Sequence, residues 1–586
     1  MATPAHTSNP LMSEAESAPH GRRKFATAIG LLDNRQRASL IVLTLERIAV
    51  GCCDLLMAAA MYLLFMLLQG RSTAHTLPWL PHTTLSAALL TAALVALRAL
   101  TDLLSARSLF RHIQELSTSF LLRLTQGYNQ LQWARFVERN RGELLSRSLY
   151  TAREAADFYQ SCIEIAAAVA IVAIMAAALI YQSVFAACLL GGALALFYSV
   201  HRLLIRSHLQ RAASNREQSL RALQRNLADM FSSGKEIRAY GSQSFFHGRL
   251  SLHAKRLAAS SWRLLLLPQA GRIIADQGAV LLFLFILIVV ELRQGDASRL
   301  LSLLVFYFVI SRRLLPLISQ ISFNSGQMES SFENVRILDF ELKECARWRV
   351  STPPAQPPEP GLALKLNSVS FSFPEGGLLL ENVNFSLREG EIAVLHGASG
   401  IGKSSLLNLI AGILQPSSGV VCIDRAAIAY VPQEVPLLDD SIRNNLLFGL
   451  HGKNDSELMA SLAAAMLDDF VTALPLGLDA RVGDNGAAVS GGQRQRLGLA
   501  RAGLRGGKLL LLDEATSALD EDNERKVLEN LSASGVAILL ATHRPNAQAF
   551  ADRVIRLQAA SLVEEQPRPS LTDSPGTSSV APSATR

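Results

Sequence analysis

Gly397, Ala398, Ser399, Gly400, Ile401, Gly402, Lys403, Ser404 and Ser405 follow the G-x-x-x-x-G-K-S spacing of a phosphate cradle. Its glycines let the backbone wrap closely round an anion, so that successive N–H groups and the N-terminus of the next helix face phosphate oxygens. Lys403 supplies the charge that neutralises those oxygens, and the Ser404 hydroxyl can hold Mg2+. An apolar strand, "IAVLH", precedes the loop and a helical "SSLLNLIAGIL" follows it, which is the setting the motif requires. The expected ligand is ATP or GTP.

A hydrolytic apparatus needs a carboxylate near the metal, and "LLLLDEATSALD" provides it. Asp513 ends an apolar strand and suits the Mg2+ shell, while Glu514 beside it can orient or deprotonate a water. An acidic strand end can also cap a helix. His543 ends the run "GVAILLAT", from which a polar side chain reaches towards a γ-phosphate, although a surface histidine fits the same position. In "VSGGQRQRLGLARA" (489–502), Ser490, Gly491 and Gly492 expose backbone N–H groups at a helix start, a second place for an anion.

These residues need a layered α/β domain to position them. From residue 361, runs such as "EIAVLHG", "AIAYVPQ", "KLLLLDEA" and "GVAILLATH" alternate with helical stretches, the pattern of buried strands with helices between them. The preceding chain is far more apolar. Six runs there reach the roughly 20 residues that a helix needs to cross a bilayer: 40–69, 84–108, 158–182, 183–205, 270–291 and 298–320. The expected fold class is therefore multi-domain, a six-helix α-helical transmembrane domain followed by an α/β P-loop NTPase nucleotide-binding domain. The divisions are a cytosolic N-terminal segment (1–39), the transmembrane domain with cytosolic helical extensions (40–335), a linker (336–360) ending in the Pro-rich "STPPAQPPEP", the nucleotide-binding domain (361–562) and a tail (563–586) with nothing to bury.

Composition agrees. With 49% hydrophobic and 18% charged residues among 586, the chain is too apolar for a disordered protein. The net charge of +7 does not point to nucleic acid, because the arginines collect beside apolar spans and not in an aromatic-interleaved patch. Arg202 at the end of span four and Arg206, Arg211, Arg216, Arg221 and Arg225 after it make the connection from span four to span five basic, whereas "RSTAHTLPWLPHTT" carries a single Arg. Positive loops stay inside, so both termini and the phosphate cradle are expected in the cytosol. The polar first 39 residues predict no cleaved signal peptide, and the six cysteines show no CxxC spacing for zinc, redox work or a disulfide framework. The basic inner connections have helical periodicity and should prolong the membrane helices. Within them "YNQLQWARFVERNRGELLSRS" (128–148) and "SSGKEIRAYGSQSFF" (232–246) fit either a short helix docking on another domain or a solvated turn.

Phosphate loop, "VSGGQ" and acidic strand end together, behind six spans, make the chain resemble an exporter half-transporter of the ATP-binding cassette (ABC) family over nearly its whole folded length. The resemblance implies ATP and Mg2+ as ligands. It implies that Phe373 in "VSFSFP" stacks on adenine, where Tyr is frequent, and that Gln433 in "YVPQ" touches Mg2+ and the attacking water. Glu514 would be the catalytic base, with His543 at the γ-phosphate. Ser490, Gly491, Gly492 and Gln493 match the signature, and Ser517 to Asp520 ("SALD") match the loop that communicates across a dimer, with Asp520 beside the nucleotide. Asp484 stands where Glu is usual and Val489 where Leu is usual; both changes are conservative, so a working site is expected. Because ATP in this family is sandwiched between the phosphate loop of one domain and the signature of another, the resemblance implies a homodimer, a heterodimer being the alternative.

The cargo is less legible. Counting inward from the outer ends puts Asp54, Arg98, Glu164, Asp276 and Arg312 in one layer about 20–27 Å deep. That layer is either a hydrated cavity for an amphipathic cargo, lined by Asp54 and Asp276, or a set of structural ion pairs such as Arg98 with Asp102 at i,i+4. Pro316 either kinks the sixth span or is a passive irregularity. The expected function is ATP-driven export or flipping of a peptide natural product, a lipid or a lipid-linked molecule across a bacterial plasma membrane. No protease-like domain precedes the spans, which argues against leader-cleaving peptide exporters. The alternatives are a multidrug exporter, or a nucleotide-regulated receptor or importer on the same scaffold.

Overall fold

The computed structural model describes residues 20–68, 83–182, 218–292, 297–350, 356–373, 377–558 and 560–565, with 484, 485, 487 and 534 excepted and only scattered positions between 183 and 217. It divides into two units: residues 1–131 with 137–349, and residues 350–586 together with 132–136.

In the first unit the segments Asn34–Leu68, Thr84–Asn129 and Arg141–Tyr181 are long and apolar enough to cross a membrane, each containing an 18-residue stretch whose mean hydropathy is 2.1, 1.8 and 2.6 respectively. They cover the first three expected spans to within one residue, residue 69 lying outside the described residues. The helices Gln243–Leu292 and Ala297–Arg347 run through the fifth and sixth, while the fourth lies outside the described residues, as do the side chains of Asp276 and Arg312. Helices of 46, 50 and 51 residues are more than twice the length a bilayer needs, about 70–75 Å each, so they carry on as extensions. The sixth does not stop at 335. Val335, Leu338 and Cys345 are buried, and that apolar stripe keeps residues 336–347, assigned from sequence to the linker, in the helix. Both interrupted connections contain short helices, Trp133–Val137 and Gly234–Ala239.

Small residues set the helix spacing. A Cβ added at Gly51 would fall 2.3 Å from Ile171 Cγ1, so the helices Asn34–Leu68 and Ala152–Gln182 touch where only hydrogen fits. Next to this contact Asp54, 4% exposed, accepts a 2.8 Å hydrogen bond from Arg98 Nε. Arg98 also reaches Asp102 at 3.8 Å, and Arg47 meets Asp102 at 3.3 Å. Of the two sequence readings of Asp54, this geometry is the inter-helix ion pair. Removing one partner of a buried pair leaves the other charge uncompensated, worth about 3–5 kcal/mol in proteins. Asp54→Ala should therefore lower the melting temperature in detergent, and adding Arg98→Ala should recover part of the loss, a coupling of about 1–3 kcal/mol in the double-mutant cycle. Additive effects would remove the pair. Glu164, by contrast, is met by amides: Gln160 at 3.1 Å, Gln320 at 3.4 Å and Asn324 at 2.7 Å.

The second unit has a three-stranded antiparallel sheet in the order β2-β1-β4, from Leu362–Ser372 (β1), Leu378–Arg388 (β2) and Ser418–Ile423 (β4). Its six-stranded sheet runs β5-β6-β7-β3-β8-β9, from Ile392–His396 (β3), Ile428–Val431 (β5), Leu509–Asp513 (β6), Ala537–Ala541 (β7), Arg553–Gln558 (β8) and Ser561–Glu565 (β9). Pairing is parallel from β5 to β8, and β9 is antiparallel. Side-chain alternation divides each central strand between two cores: Leu510 and Leu512 of β6 pack with Val431 and Leu497, Leu509 and Leu511 with Leu407 and Ile410. Burial on both faces is why these strands read as unbroken apolar runs. Because β6, β7 and β3 are parallel neighbours, the residues that follow each of them emerge along one sheet edge.

Candidate functional site

The loop after β3 is shaped by its glycines. Gly400 and Gly402 have φ of +78° and +114°, and a Cβ at Gly402 would lie 2.9 Å from Leu379 Cδ1, so no other residue fits there without displacement. The loop opens into the helix Lys403–Ile410. Lys403, 7% exposed, bends back and donates to the carbonyls of Gly397 and Ala398 at 2.9 and 3.1 Å. A buried ammonium whose hydrogen bonds go to neutral carbonyls gains strongly from an anion placed beside it.

Ser404 Oγ donates to Asp513 Oδ1 at 3.0 Å. Asp513 is 4% exposed at the end of β6; burial pushes its carboxyl above the usual range and the neighbouring Glu514 adds to this, while the bond from Ser404 and the charge of Lys403 pull it down. A hydroxyl and a carboxylate side by side make an all-oxygen donor pair, the kind Mg2+ takes.

Glu514 sits in the left-handed region at φ +47°, uncommon for a residue with a side chain and a form of strain that clusters at functional sites. The strain holds because its N–H is tied to Ala541 O at 2.9 Å. The carboxylate is thereby turned to meet two groups: Gln433 Nε2 donates to Oε2 at 2.9 Å, and His543 Nδ1 lies 3.4 Å from Oε1. The three residues expected to be catalytic thus converge on one carboxylate.

Ser490 and Gln493 form a capping box at the start of the helix Gly491–Arg505: the Ser490 hydroxyl accepts from Gln493 N at 3.2 Å, and Ser490 N donates to Gln493 Oε1 at 2.8 Å. Asp520 caps the helix Glu521–Ser532, accepting from Asn523 N at 2.8 Å. Both are structural tasks at positions expected to touch nucleotide. Phe373 is 37% exposed, with its ring edge-on to Phe371 at 4.9 Å between centroids, so ring surface remains open for stacking. Asp484 lies outside the described residues, and Val489 packs against the core beside Leu497.

Sequence reasoning missed the two residues that hold the 517–520 loop. Gln495, 7% exposed, donates to Ser517 Oγ and accepts from Ala518 N, both at 2.8 Å. Arg544 donates to Leu519 O at 2.7 Å and to Ser517 O, and pairs with buried Glu524 at 3.2 Å. Gln495 had a signal: it shares the buried stripe of its helix with Leu499 and Ala502, where an apolar residue is the rule. Gln495→Leu keeps the volume and leaves Ser517 and Ala518 unsatisfied, about 1–3 kcal/mol. Turnover should fall roughly tenfold with nucleotide affinity unchanged, measured by phosphate release and fluorescent-nucleotide titration; a wild-type turnover number would deny the loop this support.

Comparison with known proteins places residues 380–517 in a match to the ABC transporter family model. Among curated proteins the chain is similar to ATP-dependent lipid A-core flippases: 40% identical over 206 residues to that of Neisseria gonorrhoeae, 33% of each chain, and 41% identical over 220 residues to that of Burkholderia thailandensis, 34% of this chain and 37% of the relative. The flippase of Ralstonia nicotianae matches at 37% over 231 residues, 36% of this chain and 39% of its own. The matches thus span about a third of the relatives' length. Among solved structures, a bacterial Atm1-family ABC exporter with ATP bound has the same fold, with a TM-score of 0.66 at 21% identity over 91% of this chain and 95% of that one.

Proposed function

We propose that this chain, which carries an ABC transporter domain behind a helical unit and shares the fold of an ABC exporter, is a half-transporter that hydrolyses ATP to flip an amphipathic lipid across a bacterial inner membrane. The observation that supports hydrolysis over mere nucleotide sensing is the meeting of Gln433 and His543 at Glu514, next to the Ser404–Asp513 pair. A sensor needs the cradle, but it has no use for a water-activating group strained into place.

In this reading the loop N–H groups and Lys403 bind the β- and γ-phosphates, and Phe373 stacks on the adenine. Gln433 and His543 fix the Glu514 carboxylate so that it accepts the proton of a water held against the γ-phosphate. Ser404 and Asp513 would hold Mg2+, with Gln433 as a further ligand; when bound, the ion supplies charge stabilisation to the phosphate oxygens. Each chain has one phosphate loop and one signature, so pairing with a second copy completes two sandwiches. Ser490, Gly491, Gly492 and Gln493 would face the partner's nucleotide, and the 517–520 loop, with Asp520, would lie at that seam. The basic inner connections favour cytosolic termini.

A lipid cargo is supported by the named activity of the curated relatives and by helices that leave apolar side chains such as Leu85, Leu89 and Leu100 exposed. In nanodiscs, ATPase activity should rise several-fold when a hexa-acylated glycolipid is added, stay flat with hydrophobic peptides and drugs, and vanish with chelator. Stimulation by peptide alone would replace the lipid with an exported peptide; no response to any amphipath, with basal turnover intact, would sink the transport reading.

A further inference from the structure

The chain passes between its two units three times: at 131/132, at 136/137 and at 349/350. Within the helical unit, all three crossings are fastened to each other. Leu131 and Arg349 pair as an isolated antiparallel bridge. Just before them, a Cβ added at Gly127 would stand 3.0 Å from Cys345 Cβ, so the ends of the helices Thr84–Asn129 and Ala297–Arg347 pack closely, the Cys345 side chain against the Gly127 backbone. Between these crossings lies Glu341, 1% exposed. Its carboxylate accepts from Tyr128 OH at 3.1 Å and from both Arg139 and Arg147. Tyr128 lies before the first crossing, Arg139 after the second and Glu341 before the third.

A carboxylate with three donors and almost no water is a fully satisfied network, and such networks hold one geometry. Arg147 also pairs with Glu143 and begins the single π-turn Arg147–Thr151, which leads into the helix Ala152–Gln182. π-turns inside helices often mark functional positions. The five residues that leave, 132–136, belong to the nucleotide-binding unit, where Ala134 packs against the core holding Leu406 and Leu407.

We propose that Glu341 is a positioning residue that clamps these crossings into one rigid body, so that movement of the nucleotide-binding unit reaches the helices Thr84–Asn129, Ala152–Gln182 and Ala297–Arg347 together. This rests on the transporter reading above. Without the clamp, the nucleotide domain still binds and hydrolyses ATP, but the helices no longer follow it.

The test is hydrogen–deuterium exchange on the full chain in nanodiscs, with and without ATP and vanadate, beside basal ATPase activity and melting temperature. Wild type should change exchange both at 397–405 and 490–505 and in the helical stretches 105–129 and 152–170. Glu341→Gln, which keeps the Tyr128 bond and loses the charge, should hydrolyse ATP within about twofold of wild type, keep the response in the nucleotide domain and lose at least three-quarters of it in the helices. The paired exchange Glu341→Arg with Arg139→Glu should restore the helical response. The clamp is overturned if the helices of Glu341→Gln respond as in wild type, or if melting temperature, ATPase and both responses fall together and the exchange restores none of them, which is the mark of a packing role alone. A wild-type protein with no nucleotide response anywhere would sink the transporter reading itself, and the clamp with it.

Discussion

Glu514→Gln is expected to cut ATP turnover by about a hundredfold or more while leaving ATP affinity within a few-fold of wild type. The amide has the shape of the carboxylate and can still meet Gln433, whose Nε2 lies 2.9 Å from Oε2, so the site keeps its form. What it loses is the ability to take a proton. Positioned general bases contribute typically 10²–10⁴-fold, about 3–5 kcal/mol of barrier. The backbone argues that this residue is placed for the purpose: φ of +47° is unfavourable for glutamate. Because chemistry is blocked after binding, ATP-loaded protein should accumulate as a dimer on size exclusion, with the nucleotide recovered unhydrolysed. Wild-type phosphate release by this variant would move the base elsewhere.

Lys403→Ala should weaken ATP binding by roughly a hundredfold, about 3 kcal/mol, the range of hydrogen bonds to charged groups. The fold itself should not suffer. The buried ammonium donates to the carbonyls of Gly397 and Ala398 and is attracted by the Asp513 carboxylate, so removing it relieves a desolvated charge at the loss of two modest bonds and one attraction, terms that roughly offset. The melting temperature without nucleotide should therefore be unchanged or slightly higher, while the rise on adding millimolar ATP, which reflects selective binding to the folded state, should nearly disappear. An ATP-induced shift equal to that of wild type would mean that the phosphates lie elsewhere. A collapse of the ligand-free melting temperature would mean that Lys403 holds the loop together.

The two variants probe features that differ in how the sequence announces them. The phosphate loop is nine contiguous residues whose geometry is local, and the strand before it and the helix after it can be read from periodicity. The strands of the large sheet were legible because burial on both faces leaves no polar position in β7 and only the terminal Asp513 in β6. The sixth helix runs to Arg347, past the 335 expected from sequence, because Val335, Leu338 and Cys345 carry its buried stripe onward, and that burial is a tertiary fact. Asp54 was read as facing either a cavity or an ion pair, and only the 2.8 Å bond from Arg98, 44 residues away, decides for the pair.

By itself, the sequence determined the order of a membrane-type helical region and an α/β domain with a phosphate-loop motif, because both follow from periodicity and from a motif closed within one turn of chain. The tertiary structure alone decided which side chains share a site. Gln433 and His543 reach Glu514 across 81 and 29 residues because the parallel order of β5, β6 and β7 brings the ends of separate strands side by side. Tyr128 reaches Glu341 across 213 residues because two long helices pack closely at Gly127. Such meetings arise from packing, and a single chain read in order has no local signal for them.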